Sequence, residues 1–316
     1  MLDMIKKRLD LSVVRNIELE DMAIDFTGPD DWISILSSDH LIAHLAHIPG
    51  FAWPVRQVQL RIIIQNNGVE LGRLESPYSP ATVARGQICS SITNSPMTIF
   101  QESHSAFAEF ITALTTQSSH TFAIKGSADI VFDLGILGTH TLKGVDFVSD
   151  LTLRGLRSFP DIRCQKITET YPGDGYDLIV KGLFDIQNPS QLSLTLGDCT
   201  LTMSISLTDG NGDEGDGLRK QDKEHQIGTI MLHDLKLQVG LNDARAGTMV
   251  LNTSLDATDQ FLKHATRKQQ AVFLKGFHGT SKNEALAMGL VTLETMFMIP
   301  VFEVPHLRTA DQNERE

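Results

Sequence analysis

The chain states one pattern twice. Leu71-Gly72, a mixed polar and apolar segment, Phe110 and the string FAIKG ending at Gly126 recur as Ile227-Gly228, Phe261 and VFLKG ending at Gly276. A recurring order of glycine, aromatic and Lys-Gly at this scale marks a duplicated folding unit, since each copy must rebuild the same core from the same key positions. The 316 residues leave room for two units of ordinary domain size. The first is expected over 13–150 and the second over 151–303, followed by a polar tail at 304–316. Residues 154–176 read as the linker, with Pro172-Gly173-Asp174-Gly175 as its strongest turn signal. The shared glycines are expected at turns.

Alternation at period two predicts strands over most of each unit. In VQLRIII, Val58, Leu60, Ile62 and Ile64 share a face; in YDLIVKGLFDI, Tyr176, Leu178, Val180, Phe184 and Ile186 do the same. The run LSLTLGDCTLTMSISL changes phase at Gly197-Asp198, the mark of a tight turn or a bulge, and is expected to form a hairpin. Helical spacing is rarer. It occurs in DDWISILSSDHLIAHLAHI between Pro29 and Pro49, in SAFAEFITALTTQ and in TDQFLKHATRKQQ. The last two give each copy a short helix ahead of its final strands.

Composition narrows the function. A net charge of −12 disfavours nucleic acid as a partner, because that binding depends on lysine and arginine displacing counterions from phosphates. Cys89, Cys164 and Cys199 are too few and too scattered for a disulfide scaffold or a zinc knuckle, although a single bridge stays open. The N-terminal MLDMIKKRLDLS lacks the apolar core of a secretory signal, and the apolar stretch GLVTLETMFMIPVF is broken by Glu294 and Pro300 before it could span a bilayer. One glycosylation sequon is present, Asn252-Thr253-Ser254.

Three candidate clusters fail on spacing. His40, His44 and His47 would share one side of a helix, but there is no HExxH pattern and no companion carboxylate, so they read as a polar helix edge. Asp209, Asn211 and Asp213 match the first ligand positions of a calcium loop, yet Glu214 stands where glycine is required and Lys220 where the bidentate glutamate belongs. The stretch from Asp209 to His225 therefore reads as a solvated acidic loop. No GxSxG elbow and no phosphate-binding glycine loop occurs. No catalytic residue, metal ligand or cofactor site is assigned.

The order Asn188-Pro189-Ser190, LSLTLGDCTLTMSI, Ile227-Gly228, helix and Lys275-Gly276 resembles the water-stress and late-embryogenesis-abundant group two type of β-sandwich. With the matching order VELGRL, MTIF, SAFAEFITAL, FAIKG and VDFVSDLTLRGL in the first copy, it is similar to the fungal family of domain of unknown function 3712. The resemblance implies a mainly β fold of two tandem Greek-key-like β-sandwich domains, each with a short helix, and Asn188-Pro189 as a strand-edge turn. It also implies the lumenal side of a fungal vacuole, with membrane association through a segment outside this chain. Two functions follow as expectations. One is a non-enzymatic region acting by contact with an as yet unknown protein partner or as a structural sensor. The other is lipid or apolar-ligand binding, in a groove lined by Phe107, Phe110, Met288, Met296 and Phe297.

Overall fold

The computed structural model describes residues 14–45, 54–84, 86–133, 135–159, 161–207 and 223–304. Among them the chain is mainly β. The first run comprises β1 (Val14–Asp25), β2 (Ile33–Leu45), β3 (Val55–Asn66), β4 (Val69–Glu75), the short β5 (Ser79–Pro80) and β6 (Thr82–Ala84), β7 (Gln87–Ile99), helix α1 (His104–Thr116), β8 (Ser119–Asp133) and β9 (Thr139–Arg154). The second comprises β10 (Ile162–Pro172), β11 (Asp177–Asn188), β12 (Leu192–Leu207), β13 (Lys223–Leu237), β14 (Gly240–Asn252), α2 (Asp256–Ala265), β15 (Gln270–Lys275), α3 (Glu284–Leu290) and β16 (Glu294–Ile299).

Both runs use the same strand order. The first reads β1-β2-β7-β4-β3-β8-β9, and the second β10-β11-β14-β13-β12-β15-β16. A parallel contact of β10 with β16 at Ile162↔Phe297 and Arg163↔Met298 closes the second run into a ring. In the first run the Ser149 hydroxyl of β9 bridges to β1, accepting from Ile17 N at 3.1 Å and donating to Asn16 Oδ1 at 2.8 Å. Phe107, Phe110, Ile124 and Leu71 fill the interior of the first run, and Phe184, Phe261, Met203 and Leu178 that of the second; all lie within one continuous apolar core.

The repeated glycines are not at turns. Gly72 lies inside β4 and Gly228 inside β13, and a Cβ on either would collide with a backbone carbonyl of the neighbouring strand, Thr98 O or Val250 O. Glycine is needed there because the backbones approach closely, not because φ is positive. The Lys-Gly pair is where the copies part. In the first copy β8 runs on past Gly126 along β3, reaching the pair Val55↔Phe132. In the second, β15 leaves β12 at Thr202↔Lys275, and Gly276 packs under the Leu290 carbonyl at the end of α3.

The edge of β12 that β15 vacates is filled from the first run. β1 pairs with it in parallel, from Met22↔Leu192 to Asp25↔Thr195, and Phe26 N continues the ladder to Thr195 O at 2.9 Å. The loop before α3 fills the rest, with Thr200 N bonded to Thr280 O at 2.8 Å. Asn283 ties these pieces together: its Oδ1 caps α3 by accepting from Leu286 N at 2.8 Å, while its Nδ2 donates to Phe26 O at 3.1 Å and Asp31 O at 3.2 Å. Beside it α1 crosses α3, where Thr112 Oγ1 donates to Gly289 O at 2.9 Å and Gly289 admits the Ile111 side chain.

Several expectations change. The segment read as a helix around Ser37 is β2; inward Ser34 and Ser38 and a register shift between Ser38 and Leu41 disguise its alternation. The stretch read as a linker holds β10. Gly197-Asp198 is a bulge within the single strand β12, with Gly197 at φ +70°, and not a hairpin turn. Tyr176 precedes β11 and is exposed, whereas Leu178, Val180, Phe184 and Ile186 are buried as read. Asn188-Pro189 does turn the chain, since Asn188 Oδ1 accepts from Ser190 N at 3.0 Å and Nδ2 donates to Leu192 O at 2.7 Å. Of the stretch Asp209–His225 read as an acidic loop, Lys223–His225 open β13, and the rest, with most of the polar tail, lies outside the described residues.

We expect Gly228→Ala to lower the unfolding free energy by about 2 kcal/mol, the usual scale of overpacking, and Gly68→Ala at the exposed β3–β4 turn to do less. Urea denaturation of both variants checks this; equal losses would contradict close approach as the reason for the repeated glycine.

Candidate functional site

The outward faces of β7, β4, β3, β8 and β9 form a shallow hollow of about 690 Å³. Register builds it in two rows. Thr98, Arg73, Ile63, Lys125 and Val148 stand side by side across the five strands, and Glu75, Arg61, Ser127 and Asp146 form the next outward row. Alternation puts Ile62, Leu74 and Phe147 on the inner face, so the same strands hold the core with one side and present this surface with the other.

One charged cluster fixes the lower row. Asp129 lies outward on β8 but its side chain is only 4% exposed, covered by Arg61, whose Nη2 sits 2.8 Å from Oδ2. Gly144 N also donates to Asp129 Oδ1 at 2.9 Å. The Arg61 guanidinium and that amide hold the Asp129 carboxyl below the usual carboxylate range, against the opposing effect of burial. Arg61 Nε reaches Glu75 Oε1 at 3.4 Å, and its own pKa is raised, chiefly by Asp129. Lys125 pairs with Glu70. Arg73, by contrast, has no ion-pair partner among the described residues, and at the far end of the same row, beyond Ile63 and Lys125, Val148 is 68% exposed. The face thus combines an unpaired cation, Arg73, and an unpaired exposed carboxylate, Asp146, among the described residues, with apolar side chains and an ion-paired floor, which suits contact with a partly apolar surface that sets an acidic group opposite Arg73.

The residues singled out from the sequence are dispersed. Phe107 and Phe110 pack together inside the first run, with ring centroids 6.1 Å apart, and Phe110 meets Phe122 edge-on at 5.2 Å. Phe297 packs on Phe184 at 5.8 Å in the second run. Met296, its neighbour on β16, points outward and is 49% exposed, and Met288 is half-buried on α3. His40 and His44 lie on the outer face of β2 rather than on a helix. His40 Nδ1 is 3.0 Å from Asp21 Oδ2; His44 Nε2 is 2.9 Å from Glu18 Oε1 without the alignment of a hydrogen bond. His47 lies outside the described residues, as do Asp209, Asn211 and Asp213. Among the described residues no three His, Cys, Asp or Glu side chains are placed so that they could hold a metal ion. The three cysteines are free thiols, and burial pushes both Cys164 and Cys199 up to about 12.

Sequence reasoning missed Arg61 with Asp129 and the role of Asn283. The first pair is far apart in sequence and leaves no local signal. The second had one, since Asn283 precedes Glu284 and an apolar run in the manner of a helix cap.

The fold defines a class: a mainly β chain of two strand runs with one topology and a shared core. Within it, residues 78–203 match the model of a family described as a protein of unknown function (DUF3712). That stretch runs from the approach to β5, through α1 and β8–β11, to the middle of β12. No curated protein matches the chain. No helix among the described residues is long and apolar enough to cross a membrane.

Replacing Asp129 with Ala removes three charge-assisted hydrogen bonds, two from Arg61 and one from Gly144 N, and should cost about 2 kcal/mol. Because the folded carboxyl titrates below its unfolded value, its stabilisation is complete above about pH 4 and is lost as pH falls through the folded pKa. Urea midpoints measured from pH 7 to pH 2 should drop less steeply at the acid end in the variant. An unchanged acid limb would contradict the assignment. His120 adds a second dependence in the same sense. Burial lowers its pKa, and Nε2 lies 2.9 Å from Asn66 Oδ1. Stability should therefore decline as pH falls below about 6.5, and His120→Gln should remove that decline.

Proposed function

We propose that this chain is a non-enzymatic β-rich module acting by protein contact through the Arg73–Val148 face. The observation that carries the reading is that face itself, where Arg73 is unpaired among the described residues and Val148 exposed above an ion-paired floor. We further read the two strand runs as Greek-key-like sandwiches of the late-embryogenesis-abundant type, in a fungal protein associated with the vacuolar membrane on its lumenal side. Resemblance supports that finer reading, and the family match over 78–203 is in keeping with it. The partner contributes acidic and apolar groups, and the contact is sensitive to salt because Arg73 lies at the surface. Apolar-ligand carriage is the weaker reading, since Phe107, Phe110 and Phe297 are engaged in core packing.

A photo-crosslinking amino acid at Val148, introduced into the protein in its native host, tests this. A discrete protein adduct that Arg73→Glu abolishes is expected. The reading fails if the folded protein gives no adduct, or gives the same adduct from a control position at Tyr176. Lipid co-purifying stoichiometrically with the chain would favour the carrier instead.

A further inference from the structure

The duplication marks a second surface, at the outer edge of β10. β10 occupies in the second run the place that β1 occupies in the first. Cross-strand register makes the equivalence specific. Met22, Ala23, Ile24 and Asp25 stand opposite Ser38, Ser37, Leu36 and Ile35 of β2, and Cys164, Lys166, Ile167 and Glu169 stand opposite Phe184, Leu183, Gly182 and Lys181 of β11. Leu36 and Gly182 in turn face Ser95 and Gly247, corresponding residues of β7 and β14. The four β1 residues are those whose outer edge receives the start of β12 in parallel register. Their β10 counterparts carry no strand on that side among the described residues.

The edge is also shaped to receive one. β16 starts a parallel ladder on β10 at Ile162 and Arg163 and then departs at Pro300, which has no N–H to extend it. Between the freed edge, Gln165–Thr170, and the departing segment, Pro300–Val304, lies an open cleft of about 800 Å³. Val301 is 51% exposed on its wall, and Ile167 on its floor is only partly covered. A strand entering there would continue the direction of β16, bond to the open backbone edge and alternate its side chains between that apolar wall and solvent.

We propose that the free edge of β10 accepts an extended strand of a partner polypeptide, in parallel register, as the edge of β1 accepts the start of β12. The occupant resembles that start, Leu192-Ser193-Leu194-Thr195, in alternating apolar and small polar residues. A second copy of this chain is the less suited occupant. A second β10 would present the exposed Lys166 and Glu169 in place of the apolar and small polar alternation of Leu192–Thr195. This surface is separate from the Arg73–Val148 face, so either proposal can fail alone.

The probe is a synthetic peptide of residues 188–196, the segment that fills the equivalent edge within the chain. Added to the isotope-labelled full chain, it should produce saturable amide shifts confined to Cys164–Tyr171 and Val301–Val304. A nitroxide at the peptide N-terminus should broaden Cys164 more than Tyr171, as parallel pairing requires. A peptide N-methylated at the position of Thr195, whose backbone groups face β1 within the chain, should bind at least tenfold more weakly. The proposal is overturned by absence of shifts at millimolar peptide, by stronger broadening at Tyr171, or by shifts on the Arg73–Val148 face instead. Concentration-dependent dimerisation of the free chain through β10 would overturn it as well.

Discussion

The rest of the architecture depends on how the edge of β12 is satisfied. Backbone N–H and C=O groups at a buried strand edge must find partners, and in the first copy β8 supplies them along the length of β3. In the second copy β15 ends at Lys275. Satisfaction then comes from β1, from the loop around Thr280 and from the side chain of Asn283. A shortened strand in one copy thus becomes the joint between copies. Close approach of Gly276 to Leu290, and of Gly289 to Ile111, lets α3 sit where the missing strand would otherwise have run.

Buried polar groups elsewhere follow the same logic of local satisfaction. Asn188 and Ser190 close the β11–β12 turn among themselves and with Leu192 O, and Asn242 bonds Gln238 N at 2.7 Å and Gln238 O at 2.9 Å. Each satisfied amide fixes a turn that no apolar contact would orient, which matters in a fold where register decides which side chains face inward. The Arg61–Asp129 pair does the equivalent on the outside, holding β3 and β8 together beneath the face that Arg73 and Val148 present.

What the sequence revealed and what it hid have physical reasons. Clean alternation exposed β3 and β11, and the Phe-bearing periodicity exposed α1 and α2. β2 was masked because Ser34 and Ser38 face the core, where Ser38 Oγ donates to Glu20 O at 2.8 Å, so inward positions carried polar letters. The repeated glycines were visible, but their purpose was not, since close approach between strands leaves the same letter as a turn. The joint between the runs, the Arg61–Asp129 pair and the open edge of β10 rest on residues distant in sequence. Local periodicity carries no trace of them. The aromatic and methionine residues read as a groove are, for Phe107, Phe110 and Phe297, core packing; composition alone does not distinguish the two.

If the vacated edge of β12 joins the two runs into one cooperative structure, disturbing that edge must be felt throughout. Native-state hydrogen exchange at Ile62 in β3 and Val180 in β11, in the parent chain and in Asn283→Ala, tests this most directly. Both amides should exchange through one global opening of equal free energy. Loss of the Asn283 hydrogen bonds should lower both by the same amount, about 2 kcal/mol. Opening of β3 and β11 at different free energies in the parent, with the substitution lowering only one of them, would contradict a shared edge as the joint.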